Sequence, residues 1–282
     1  MRVFVFGYDR FENMTTSLLL AGDCVEHTVL CHSDEDRAKF LAGGAVGGEV
    51  VATGLERGLA GQRNAALDML GDGEWGVFLV DDLVSVSEVS GYDERRRTRT
   101  TELGINMDNQ AAFKNGMESP ISWDRFMVRC AETADACDAI GARLGGFCGI
   151  ANPPWRDRKW KFNGLADGRA WVVKQEPGFR VEAGAGCIDD FGWTAQQIER
   201  HGVAVVNQWV LPTAQRYKPG GYGSIDDRLV EKLAAVKYLT ARHPGLLRVA
   251  AKKNEPAGSH VQFRRTLSRG QLDRARRVLS SK

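Results

Sequence analysis

Long apolar runs are missing from this chain of 282 residues. No stretch reaches the ~18 consecutive apolar residues that a membrane-spanning helix needs. The apolar start "RVFVF" is broken by "GYDR" too soon for a secretory signal. The expectation is therefore a soluble, cytoplasmic chain with no membrane partner. C-x-x-C pairs are also missing. The six cysteines (Cys24, Cys31, Cys130, Cys137, Cys148, Cys187) are dispersed, as suits reduced, mostly buried thiols of a cytosolic protein. An excess of one charge is lacking too: the formal net charge is +2, so the whole molecule is no evident binder of polyanions. There is no internal repeat and no low-complexity linker. With 43% hydrophobic and 26% charged residues, the composition is that of an ordinary globular chain, and one domain spanning 1–282 is the simplest reading. The charge is nevertheless uneven. Residues 252–282 carry nine Lys or Arg against Glu255 and Asp273, a basic segment suited to phosphates or acidic surfaces, or simply to water.

What is present, above all, is alternation. "RVFVFG" reads as a strand, "MTTSLLLAG" as a helix closed by Gly22, "EHTVLCH" as a strand and "DEDRAKFLAGG" as a helix. A short strand "GEVVAT", the helix "QRNAALDML" and the strand "WGVFLV" follow. Strands alternating with helices predict an α/β fold with a mostly parallel central sheet flanked by helices. Ligands of such sheets sit at the carboxyl ends of the strands. Those ends carry Gly7-Tyr8-Asp9-Arg10, then His32-Ser33-Asp34-Glu35, then Asp81-Asp82. Residues 91–120 have weak periodicity and predict a long loop. Apolar spacing predicts a helix from Trp123 to Ala142, broken by "GGFCGIANPPW". "RAWVVKQ" reads as a strand. In "CIDDFGWTAQQIERHGVAVVNQWVLP", Thr194 and Gln197 fit a capping box, so a helix is expected to start near Thr194 and stop at Gly202, followed by a strand ended by Pro212. "YKPGGYGSIDD" reads as a glycine-rich loop before the helix "DDRLVEKLAAVKYLTARHPG", and "HVQFRRTL" as a strand before a short basic helix.

Two acidic pairs carry the chemistry. A strand end bearing Asp81 and Asp82 suits Mg²⁺ or Mn²⁺, a hard cation that takes oxygen ligands and shares its shell with substrate phosphates. Acids at strand ends are equally at home as turn residues. Asp189-Asp190 precedes a helix, where a carboxylate gains modestly from the dipole; held near a phosphate site it could instead act as a general base. His32 lies beside the same strand ends, and His260 lies near the basic end of the chain.

The ordered series strand, "GYDR", strand, acidic turn, "GQRNAAL", apolar strand, "DD", and later "IDDFGWTAQQIERHG" resembles the GT-A class of nucleotide-sugar glycosyltransferases over residues 1–215. The resemblance implies a GT-A-like, Rossmann-like sheet with a nucleotide-sugar-binding half (1–86) and an acceptor and catalytic half (123–250). It implies that Asp82 binds the metal and that Asp190, followed by Phe191, is the catalytic base of an inverting enzyme, with Asp189 beside it. Arg63 and Asn64 match the pair that packs behind the diphosphate, and Asp34 or Glu35 lies where the class contacts the nucleotide base. Gly7, Tyr8, Arg10 and Asp81 complete the implied donor site, the donor being a UDP-sugar. One departure stands out: the class commonly has a third acid where this chain has Val80.

A narrower likeness accompanies it. "GFCGIANPPW", "IDDFGWTA", "KPGGYGS" and the basic end are similar to phage-encoded glycosyltransferases of the TET-associated group, which decorate hydroxymethylated pyrimidines in DNA; that would mean DNA as acceptor, in a host cytoplasm. "PPWRDRKWKF" interleaves Trp155, Trp160 and Phe162 with Arg156, Arg158, Lys159 and Lys161. Such aromatics can stack on an unstacked base while the cations follow phosphates, or pack on the sheet with their charges in water. No obligate protein partner is evident. Other classes remain open: glycosyl transfer to a sugar, lipid or protein hydroxyl, a nucleotidyltransferase, or a non-catalytic nucleic-acid-binding module.

Overall fold

The computed structural model describes residues 1–7, 11, 14–44, 47–55, 58–89, 118–149, 159–215, 225–251 and 256–264. Tyr8, Arg10, Trp155 and Arg156, together with residues 216–224 of the expected glycine-rich loop and the basic residues beyond 264, lie outside these residues. The elements run β1 (Arg2–Phe6), α1 (Thr15–Gly22), β2 (Thr28–Cys31), α2 (Asp34–Ala42), β3 (Glu49–Ala52), α3 (Leu59–Met69), β4 (Trp75–Val80), β5 (Leu83–Val89), β6 (Glu118–Ile121) and α4 (Trp123–Ile140). They continue with β7 (Leu144–Phe147), β8 (Trp160–Phe162), β9 (Ala170–Lys174), α5 (Asp189–His201), β10 (Val205–Asn207), β11 (Val210–Ala214), α6 (Ile225–Arg242), β12 (Leu247–Ala250) and β13 (His260–Phe263). Eight strands form the central sheet in the order β3-β2-β1-β4-β9-β7-β10-β8, with smaller sheets β11-β5-β6 and β12-β13. The protein is thus mixed α/β with a mostly parallel sheet: β3, β2, β1 and β4 are mutually parallel, β7 and β10 likewise, while β9 and β8 run against their neighbours.

Alternation along each strand explains the layers. In β1, Phe4 and Phe6 point to one side with Phe78, Trp171 and Trp193; Val3 and Val5 point to the other with Leu20, Phe40 and Phe126. Both faces are apolar because both are covered, α3, α5 and α6 lying over the first and α1, α2 and α4 over the second. The chain goes from β1 outward to β2 and β3, then returns to the other side of β1 as β4. That reversal makes the carboxyl ends of β1 and β4 the topological switch point, where open α/β sheets bind ligands.

Most expected elements are found, and three expectations need correction. The helix expected near Thr194 starts at Asp189 and has no side-chain cap. A 3₁₀ turn over Ala183–Ile188 leads straight into it, and Thr194, fully buried, accepts the Ala166 N–H on its hydroxyl at 3.3 Å instead. The strand ended by Pro212 is in fact two, β10 and β11, with Pro212 inside β11, at the edge of its small sheet where a missing N–H is tolerated. The break after α4 contains a strand, β7, whose "LGGF" escapes a β-propensity reading. Its glycines are there for clearance. A Cβ on Gly146 would lie 2.7 Å from Ala166 Cα, and one on Gly145 2.5 Å from Thr133 Cγ2. Gly146→Ala is expected to cost about 1–3 kcal/mol by overpacking, read as a lower denaturant midpoint at unchanged slope.

All six cysteines are free, four of them buried. Among the described residues no helix is long and apolar enough to cross a membrane.

Candidate active site

The switch-point edge is built from short, rigid links. Gly7, directly after β1, donates its N–H to Leu30 O at 2.9 Å. Gln62 of α3, fully buried, donates its amide to Gly7 O at 2.8 Å. After β4 the chain turns at once into β5, and Thr16 holds that turn: its hydroxyl donates to Val80 O at 2.7 Å and accepts the Leu83 N–H at 2.9 Å. Within the turn the two acids separate. Asp81 is 5% exposed, whereas Asp82 is half-buried and its backbone oxygen accepts the Gln215 N–H at 2.9 Å.

The second acidic pair reaches the same edge through a segment that sequence reasoning passed over, Asp167-Gly168-Arg169. Because β9 runs antiparallel to β4, its start faces the end of β4: Leu79 pairs with Ala170, and Val80 N–H bonds Arg169 O at 3.1 Å. Gly168 lies against the other pair, since a Cβ there would fall 3.2 Å from Asp190 Cβ and 3.3 Å from Arg63 Nη2. The loop 167–169 therefore bridges the Asp81-Asp82 turn and the amino end of α5. Only the β4–β9 pairing reveals it, and that pairing is a long-range fact with no local signature.

Three charged groups act on Asp190, namely Asp167, Asp189 and Arg63, and each is held in an ion pair. Arg169 grips Asp167 through Nε at 2.7 Å and Nη2 at 3.1 Å, and donates Nη1 to Pro212 O at 2.9 Å. Arg63, 1% exposed, ion-pairs with Asp189, donates Nη2 to Gly168 O at 2.9 Å, and lies 3.8 Å over the Trp171 ring. Among the described residues, Asp190 receives the N–H of Phe191, at 2.9 Å. Desolvation first, then the nearby charges of Asp167 and Asp189, push its pKa up to about 7, with Arg63 and the Phe191 N–H pulling the other way. The two members of the pair thus part company. Asp189 is a buried partner of Arg63, and Asp190, only half-buried by accessible area, is the carboxyl poised to exchange a proton near neutrality.

No family model matches the sequence, and no curated protein matches it.

Asn64 binds the backbone of Val181 from both sides, donating to its oxygen at 3.1 Å and accepting its N–H at 2.8 Å, so it ties α3 to the segment before α5. Asp34 and Glu35 are exposed in the first turn of α2, where Glu35 pairs with Lys39 at 2.7 Å. Glu35, with His32, Asp36, Lys39 and Gly54, lines a recess of ≈ 380 Å³ at the carboxyl ends of β2 and β3. Asp34 is not part of its wall; Asp36, which sequence reasoning missed, is. Trp160 and Lys161 fall on β8, the last strand of the sheet, with Trp160 opposite Asn207 at the end of β10. Trp160 therefore faces the same edge as Asp82, four strands and roughly 19 Å away, and packs half-buried beside Val205 while Lys161 is exposed.

Among the described residues no three His, Cys, Asp or Glu side chains are arranged to hold a metal ion. Mg²⁺ and Mn²⁺ bound with a diphosphate need no such cage, since one or two carboxylates suffice when phosphate oxygens and water fill the rest. The half-buried Asp82 at the strand end fits that donor set, and the buried Asp81 is behind it.

Proposed function

We propose that this chain is a metal-dependent, inverting glycosyltransferase of GT-A type that moves a sugar from a nucleotide-sugar to a hydroxyl. The observation that carries this reading is Asp190, a carboxyl with a pKa raised to about 7, linked through the loop 167–169 to a strand end bearing Asp81 and Asp82. A base that accepts a proton near neutral pH, beside a strand end suited to a metal-bound diphosphate, is the pairing that single-displacement glycosyl transfer needs.

In this mechanism the donor lies across the carboxyl ends of β1, β2 and β4, its base toward the recess lined by His32 and Asp36. Asp82 would hold Mg²⁺ or Mn²⁺, which when bound supplies positive charge to the departing diphosphate. The acceptor hydroxyl gives its proton to Asp190 as its oxygen bonds the anomeric carbon from the face opposite the leaving group. The bond to the diphosphate breaks, its electron pair leaves with the phosphate oxygen, and the configuration inverts. Arg63 and Asp189 anchor the first turn of α5, so Asp190 is held on a rigid element.

The preferred acceptor is a hydroxymethylpyrimidine in DNA. The start of β8, with Lys159 over the Trp160 ring at 5.1 Å, supports it by offering an aromatic and a cation at the same sheet edge. A base in duplex DNA has to be flipped out to reach the carboxyl, or be presented in a single strand. The test is incubation with a panel of nucleotide-sugars, Mn²⁺ or Mg²⁺, and plain or hydroxymethylated DNA, followed by mass spectrometry of the digested nucleosides. A hexose-sized addition to the hydroxymethylated nucleoside alone is the expected result. Turnover only on a non-DNA hydroxyl would replace the acceptor and keep the enzyme class, whereas retained anomeric configuration would contradict the single displacement.

A further inference from the structure

Asp36 occupies the third position of α2 and donates its backbone N–H to the Ser33 hydroxyl at 3.1 Å. In a closed capping box the third side chain would reach back to the N-cap N–H. Here that half is missing. Among the described residues the Asp36 carboxylate has no hydrogen-bond or ion-pair partner, although the residue is only 6% exposed. A carboxylate whose two oxygens are both open to accept suits a ligand with paired donors, and Asp36 lines the ≈ 380 Å³ recess, a volume within the range of ligand sites.

We propose that this recess reads guanine and that Asp36 is its specificity-determining residue; the inference rests on the donor-site reading above. A carboxylate is acceptor-only, with two oxygens side by side. Guanine presents two adjacent donors, N1–H and the N2 amino group, that meet both oxygens at once. Uracil presents one N3–H between two carbonyls, so the second carboxylate oxygen would face another oxygen. Adenine and cytosine each set one amino donor beside a ring-nitrogen acceptor, with the same conflict. The same recess carries a cation, Lys39, paired with Glu35 at 2.7 Å, a group suited to the guanine O6. The donor is accordingly a GDP-linked sugar and not the UDP-sugar implied by the resemblance.

Calorimetric titration of the full chain with GDP, IDP, UDP and ADP in the presence of Mg²⁺ tests this. GDP should bind at least about tenfold more tightly than UDP or ADP, the scale of one two-point base contact. IDP, which lacks the N2 amino group, should fall between them. Asp36→Asn should bring GDP down to the level of UDP without moving the thermal midpoint. UDP binding as tightly as GDP, or GDP affinity unmoved by Asp36→Asn, overturns the guanine assignment and leaves the donor site standing. No binding of any nucleoside diphosphate overturns the donor site itself, and the guanine assignment with it.

Discussion

Asp190→Asn should lower sugar transfer by a factor of about 10²–10⁴, the usual contribution of a positioned general base, while nucleotide binding and fold are kept. The amide is nearly the same shape and still accepts the Phe191 N–H, so only the proton-accepting ability is lost. The wild-type rate should rise with pH through about 7, because the base form of Asp190 exists only above its pKa. Stability should run the opposite way. The folded state holds a proton on Asp190 that the unfolded chain releases near the ordinary aspartate value of 3.8. Between about pH 4 and 7 the folded form therefore binds more protons, and stability falls as pH rises through that window. Asp190→Asn removes this slope, so the variant should gain on the wild type in thermal midpoint at pH 8 and match it at pH 4. Rate–pH profiles and thermal melts at both pH values check the two signs together. An active Asp190→Asn enzyme with an unchanged profile would remove Asp190 as the base.

The parallel half of the sheet was legible because its strands are buried on both faces and read as unbroken apolar runs, "VFVF" and "VFLV", each followed by polar residues. The position of Asp81-Asp82 at the sheet edge follows from that order, whereas that of Asp189-Asp190 does not. The loop joining them did not show, because Asp167 and Arg169 have no periodicity and take their meaning from the antiparallel pairing of β9 with β4. β7 was hidden for a related reason: its two glycines answer to the approach of Ala166 and Thr133 and not to strand propensity. The capping-box pattern at Thr194 and Gln197 misled because the same residue types are buried in mid-helix, where Thr194 anchors the loop instead. Asp36 was passed over in favour of its exposed neighbours Asp34 and Glu35, since burial of one acid in a run of three depends on the sheet beneath the helix.

The largest effect on stability is expected at Arg63. Its guanidinium is 1% exposed and answers Asp189, 4% exposed, across the contact between α3 and α5. Arg63→Met leaves the Asp189 carboxylate buried without its counter-charge, and breaking one side of such a pair costs about 3–5 kcal/mol. Removing both charges should restore most of that loss, since well-packed apolar substitutes for a buried pair are often neutral; Arg63→Met with Asp189→Leu is the variant to compare in chemical denaturation. The same cycle reports on Asp190. Arg63 lowers the pKa of Asp190 and Asp189 raises it, so Arg63→Met should shift the midpoint of the rate–pH profile upward from about 7. The double variant should bring the midpoint back toward the wild-type value, because the two opposing charges are lost together. Stability and midpoint recovering in parallel would identify the pair as the positioning support of Asp190. Recovered stability with a midpoint still displaced would mean that the loop 167–169, and not the ion pair, sets the proton affinity of Asp190.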